Sequence, residues 1–201
     1  RGQDDLDRIV ASLKKHDVEF MIVGGMAVVY HGYVRTTKNL DIFIRRTEEN
    51  ANKTVAAVEA AGFGWPELDA KIFTSGKGII VGESPMRFDI IADIKGVRFE
   101  DALGRCKHDN FGYETVPYIG LEDLIENKRA VGRPQDLRDL LELEAIRERE
   151  RMAPARAHEK DAPKAPSAGP SPEKSPDAEG AQSESQSEQK KKKDRGNGFS
   201  L

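Results

Sequence analysis

Apolar residues recur at helical spacing over Asp4–Lys15, where Leu6, Ile9, Val10 and Leu13 share a face, and then close up into the unbroken run Phe20-Met21-Ile22-Val23. The first pattern predicts an amphipathic helix ending near His16-Asp17, and the second a buried strand. Gly24-Gly25 stops that strand, residues Met26 to His31 read as a short helix, and after the polar segment Gly32 to Lys38 the run Leu40 to Ile44 reads as a second strand. Glu48 to Ala61 reads as a helix stopped by Gly62. Lys71 to Thr74, Gly78 to Val81 and Arg87 to Ile91 read as strands, the last two joined by a Gly-Glu-Ser-Pro turn into a hairpin. Phe99 to Arg105 follows as a short helix and Tyr113 to Tyr118 as a strand. Leu121 to Val131 and Pro134 to Arg149 then form a helical pair, with Pro134 suited to the first helical position. This order predicts an α/β (α+β) fold, a mixed β-sheet flanked by helices with a C-terminal helical pair.

Candidate chemistry lies where these elements meet. Backbone N–H groups of Gly24 and Gly25 at the start of a helix favour an anion such as a triphosphate, and glycine lets that anion come close. On the second strand Asn39 and Asp41 share a face while Leu40 and Ile42 turn to the core. Asp89 likewise interrupts the apolar strand Arg87 to Ile91. Two strand aspartates far apart in sequence can converge on one divalent cation, whose oxygen ligands offset the cost of burying charge.

Gly24-Gly25, Asn39-Leu40-Asp41 and Asp89, in the wider pattern GG-x-A-(x)3-HG-(x)2-R-x-T-(x)2-LD, resemble the nucleotidyltransferase-fold proteins of the polymerase-beta superfamily. The branch they resemble includes minimal nucleotidyltransferases and AbiEii-type toxins. The segment Ile119 to Leu143 resembles the helical part that sets a Lys and an Arg-x-x-Asp element against the nucleotide in these proteins. The resemblance implies transfer of a nucleoside monophosphate from an NTP, such as ATP, to an RNA, protein or small-molecule acceptor, with Mg2+ or Mn2+ as cofactor. It implies Asn39, Asp41 and Asp89 as metal ligands, and Asp41 and Asp89 as the catalytic carboxylates of a two-metal site. It implies Gly24, Gly25, Arg35, Thr37, Lys128 and Arg133 as nucleotide-binding residues, Arg35 and Thr37 ordering the carboxylate strand and Lys128 and Arg133 neutralising the triphosphate. For the AbiEii group it implies a toxin–antitoxin role with an antitoxin-type partner.

Asn39 departs from the pattern, because an aspartate is expected there and an amide offers only a neutral oxygen. Three readings stand side by side: an enzyme with a weaker metal site, an inactive relative that binds nucleotide or a partner, and a variant whose activity was removed by substitution. Each residue also has a plainer reading. The glycine pair serves any strand-to-helix turn, the aspartates serve as caps or salt-bridge partners, and Lys128 and Arg133 serve as exposed partners of Glu122, Glu126 or Asp136. His31 reads as a helix-end residue, since no second His or Cys stands at metal spacing.

Composition adds bounds. The 201 residues carry 33% charged side chains and a net charge of -3. No apolar run approaches the ~20 residues of a membrane helix, and no secretory signal is visible, so the expected location is cytoplasmic. The single Cys106 excludes an internal disulfide framework and a cysteine-rich zinc site. Residues 1–150 read as one nucleotidyltransferase-like domain and residues 151–201 as a disordered low-complexity tail rich in Ala, Pro, Ser, Glu, Gln and Lys. The basic cluster Lys190 to Lys193 with Arg195 suits RNA, an acidic partner or a membrane surface, or is simply solvated.

Overall fold

The computed structural model describes residues 2–37, 39–83 and 86–153. The low-complexity tail and its basic cluster lie outside the described residues. Seven helices and six strands are described, in the order α1 (Gly2–Lys15), β1 (Phe20–Val23), α2 (Gly24–Tyr30), β2 (Asn39–Ile44), α3 (Glu48–Ala60), α4 (Lys71–Thr74), β3 (Gly78–Glu83), β4 (Met86–Ile91), α5 (Phe99–Leu103), β5 (Lys107–Phe111), β6 (Glu114–Tyr118), α6 (Leu121–Val131) and α7 (Pro134–Met152).

The strands form one mixed sheet in the order β3-β4-β2-β1-β6-β5. The pairs β3–β4, β1–β2 and β5–β6 are antiparallel, whereas β2–β4 and β1–β6 are parallel. Both faces are covered, as the alternation of side chains along each strand requires. Leu40, Ile42 and Ile44 of β2, with Ile22, Phe88 and Ile90, pack against Leu6, Ile9 and Leu13 of α1, Val58 of α3 and Phe73 of α4. On the other face Met21, Val23 and Phe43 pack with Val28 of α2, Phe99 of α5, Leu124 and Ile125 of α6 and Leu143 of α7.

Two elements differ from the sequence reading. Lys71–Thr74 is a helical turn, not a strand. The Asp69 carboxylate accepts the Lys71 N–H at 2.7 Å, which satisfies a donor at the start of the turn, and Phe73 is fully buried among the helices over the sheet. A four-residue apolar run does not distinguish these outcomes by itself. Strand β5 carries no apolar alternation, since Lys107 to Asn110 are exposed and only Phe111 is buried. Its pairing with β6 comes from a tight turn at Gly112-Tyr113, where Gly112 takes φ +58°. Among the described residues no helix is long and apolar enough to cross a membrane.

Candidate functional site

Sheet register builds the centre of the site. Residues paired across neighbouring strands share a face, so the pairings group side chains into rows. One row is Met21, Phe43, Ile91 and Gly78; the next is Val23, Asp41, Asp89 and Ile80; the outermost is Asn39, Arg87 and Gly82. The apolar layer therefore gives way to carboxylates one step along the strands, and to Asn39 and Arg87 one step further. Asp41 and Asp89, 48 positions apart, are direct neighbours because β2 and β4 run parallel in register. Burial raises the Asp41 carboxyl above its ordinary range, and the adjacent Asp89 charge pushes it the same way. Such a carboxylate pair calls for a cation.

The glycine turn is fitted around this pair. Gly24 takes φ +63°, a conformation that L side chains rarely adopt, and a Cβ on it would run into the Asp41 carboxylate. The Gly25 N–H donates to Asp41. A Cβ on Gly25 would meet Thr37 Oγ1 and come within 3.2 Å of Arg35 Nη2. In this structure the space beside both glycines is thus filled by Asp41, Thr37 and Arg35.

A charged network stands behind the turn. Lys128 of α6 is buried, with a side chain 6% exposed, and donates to Asp136 Oδ1 at 2.8 Å while lying 2.9 Å from Asp139 Oδ2. Asp139 is fully buried and also takes the Arg35 guanidinium, Nε at 2.8 Å from Oδ1 and Nη2 at 2.9 Å from Oδ2. Gln135 donates to the same carboxylate at 2.9 Å. Arg133 donates from Nε to Asp136 Oδ2 at 2.8 Å, yet its side chain is 75% exposed and its charge reaches Asp41. Burial opposes ionisation of Asp136 and Asp139. Hydrogen bonds from Lys128 to both, from Arg133 to Asp136, and from Arg35 and Gln135 to Asp139 outweigh it and hold both carboxyls below their ordinary range.

The expected residues therefore divide. Asp41, Asp89, Asn39, Gly24, Gly25, Arg35 and Thr37 come together around the end of β1 and the first halves of β2 and β4. Arg133 projects to solvent near them. Lys128 is not exposed, and its ammonium faces Asp136 and Asp139. Sequence reasoning missed two participants. Asp139 has no signal in the chain that ties it to Arg35, 104 positions away. Arg87 does have one: it precedes Asp89 by two residues on a strand and so shares its face. Its Nε lies 3.0 Å from Asp89 Oδ1, and its Nη2 donates to Oδ2 at 3.1 Å. His31 ends α2, and its Nε2–H donates to the Ile119 carbonyl at 2.8 Å. Burial lowers its pKa, so the ring sits neutral as a bridge between helix and strand end.

Among the described residues no three His, Cys, Asp or Glu side chains converge as a metal cluster. The Asp41–Asp89 pair, with the Asn39 amide oxygen in the adjoining row, suits one divalent cation, and the burial that raises the Asp41 carboxyl, with the neighbouring Asp89 charge adding to it, supports that fit. Asn39 stands where the family resemblance calls for a third carboxylate.

No curated protein matches the chain in sequence. Solved structures that align with it include the lincomycin-bound lincosamide antibiotic adenylyltransferase LnuA, at 16% identity and TM-score 0.47, covering 71% of this chain and 96% of that one. ANT(2")-Ia in complex with adenylyl-2"-tobramycin aligns at 15% identity and TM-score 0.44, covering 74% and 97%. An antigenic nucleotidyltransferase-like protein from Paracoccidioides brasiliensis aligns at 14% identity and TM-score 0.39, covering 71% and 75%. Residues 2–163 match the sequence profile of the family described as nucleotidyl transferase of unknown function, DUF2204, and the chain belongs to that family.

Proposed function

We propose that this chain transfers a nucleoside monophosphate from an NTP to a hydroxyl of an RNA, protein or small-molecule acceptor. The observation that carries the reading is the in-register Asp41–Asp89 pair, set against the Gly24-Gly25 turn and within reach of the Arg133 charge. In the reaction the acceptor oxygen bonds to the α-phosphorus, the bond to the bridging oxygen breaks, and pyrophosphate leaves. Asp41 and Asp89 would hold Mg2+ or Mn2+, which would supply Lewis-acid stabilisation of the phosphoryl oxygens. Asp89 takes the proton of the attacking hydroxyl. Arg133, 75% exposed and anchored through Nε to Asp136, neutralises triphosphate charge, while Lys128 acts through Asp136 to orient it. Arg35 and Thr37 hold the turn against Asp41.

A second reading is favoured by Asn39: a nucleotide-binding or partner-binding module of the same fold without transfer activity. In either case an AbiEii-like assignment would bring an antitoxin-type partner. One experiment separates the two readings. The purified chain is incubated with each labelled NTP, Mg2+ or Mn2+, and total RNA and protein, beside Asp41→Ala and Asn39→Asp. Label transfer by the native chain, lost by at least about a hundredfold in Asp41→Ala, is the expected result. Nucleotide binding without transfer, in the native chain and in Asn39→Asp alike, selects the binding module.

A further inference from the structure

The carboxylate pair already has a cation beside it. Arg87 and Asp89 stand at i and i+2 on β4, and the guanidinium meets the carboxylate side-on through two nitrogens, at 3.0 and 3.1 Å. Only the Nη2 contact has hydrogen-bond geometry, and the Nε approach is electrostatic, so the two residues form an ion pair with one charge-assisted hydrogen bond. It is also sheltered, with Asp89 15% and Arg87 35% exposed at the side chain. In the same row, across on β2, stands Asn39, which is neutral. Asp41, Asp89, Arg87 and Asn39 together carry one net negative charge.

A divalent ion arriving alone meets a poor site. It must break the Arg87–Asp89 ion pair to reach Asp89, and it then holds the displaced guanidinium within a few ångströms of its own positive charge, a repulsion that a partly buried site screens weakly. An ion arriving with a triphosphate meets a different one. The phosphate oxygens offer the guanidinium another anionic partner, so the Arg87–Asp89 pair can open without leaving a cation unpaired. We propose that Arg87 is a resident counter-cation of the Asp41–Asp89 pair, which keeps the nucleotide-free protein from binding a divalent ion and couples entry of the ion to entry of the triphosphate. The coupling is reciprocal: the ion tightens the nucleotide by the same factor as the nucleotide tightens the ion. The inference rests on the proposed assignment of Asp41 and Asp89 to a cation, but it needs no turnover to be tested.

The test is titration of the full chain with Mn2+, following the free ion by electron paramagnetic resonance, with and without α,β-methylene ATP. The native chain is compared with Arg87→Gln and Arg87→Lys, and folding is checked by thermal unfolding. Without nucleotide, Arg87→Gln is expected to bind Mn2+ about tenfold or more tighter than the native chain, a gain that mere structural damage does not produce. The nucleotide is expected to tighten Mn2+ by about tenfold or more in the native chain and by much less in Arg87→Gln. If Arg87→Gln does not fold, Arg87→Lys carries the test, since it keeps the charge and loses the planar guanidinium that meets Asp89 through two nitrogens; its nucleotide-free Mn2+ affinity should exceed the native one by about threefold. An unchanged or weaker nucleotide-free Mn2+ affinity in the folded variant overturns the proposal, as does a native affinity that nucleotide does not alter. Failure of every form to bind nucleotide would instead remove the transfer reading, while the nucleotide-free comparison would still decide the role of Arg87.

Discussion

Asp139 shows how one buried charge ties distant segments together. It is fully buried, pairs with Lys128 and takes the Arg35 guanidinium through one hydrogen bond and a second close contact, so it joins α6, α7 and the loop over the glycine turn. Replacing Asp139 by Asn keeps the shape and removes the charge, leaving Arg35 and a buried Lys128 undercompensated. The expected cost is about 3–5 kcal/mol in urea unfolding, the range for breaking a buried pair. The pH dependence has a definite sign. The Asp136 and Asp139 carboxyls titrate below their unfolded value of about 3.9, so their contribution is present above that value and is lost as pH falls through the lowered ones. Acid unfolding of the native chain should steepen below about pH 4, and Asp139→Asn should flatten that fall. Of these residues the chain announced only some. Asp41 and Asp89 stood out because each interrupts an apolar strand, whereas Asp139 looks like any charge on a charged helix.

At the scale of elements, polar side chains do the joining that apolar patterns do not show. Asn50 on α3 is buried, accepts the Glu19 N–H at 2.7 Å, and donates to the Glu19 and Arg45 carbonyls at 3.0 and 2.9 Å. It therefore closes the start of β1 onto the end of β2. Thr47 caps the same helix by accepting the Asn50 N–H at 3.2 Å. Asn50→Ala removes three hydrogen bonds and leaves the Glu19 N–H without its partner, while the Glu19 and Arg45 carbonyls still accept from the Arg45 and Thr47 N–H groups, and it should lower stability by about 1–3 kcal/mol, read from the urea midpoint at unchanged slope. The misread and missed elements have related causes. At Lys71 a side-chain cap from Asp69 turned an apolar run into a helical turn, and at β5 an edge position left the outer residues polar. Hydrophobic period reports burial, and a half-exposed edge strand or a four-residue turn has little burial to report.

At the scale of the molecule, the sheet is enclosed by α1, α3 and α4 on one face and by α2, α5, α6 and α7 on the other, and the carboxylates lie where the second layer ends. Every described core residue lies between Leu6 and Leu143. A chain ended after Ala153 is accordingly expected to unfold within about 2 °C of the full chain, less than about 1 kcal/mol for a domain of this size. Scanning calorimetry of the two forms checks this, and a larger drop would mean that residues beyond 153 belong to the folded unit.

The chain by itself determined the strand-turn-helix around Gly24-Gly25, the two aspartate strands and the helical pair, because those features are local: apolar period, glycine breaks and a proline at a helix start are written in consecutive residues. Tertiary structure decided the rest. Parallel register brought Asp41 beside Asp89 and Asn39 beside Arg87, and packing of α6 and α7 turned Lys128 toward Asp136 and Asp139. These are long-range choices, made by whichever arrangement buries two apolar faces while pairing buried charges such as Lys128 and Asp139, and no single segment holds enough of that balance to reveal it.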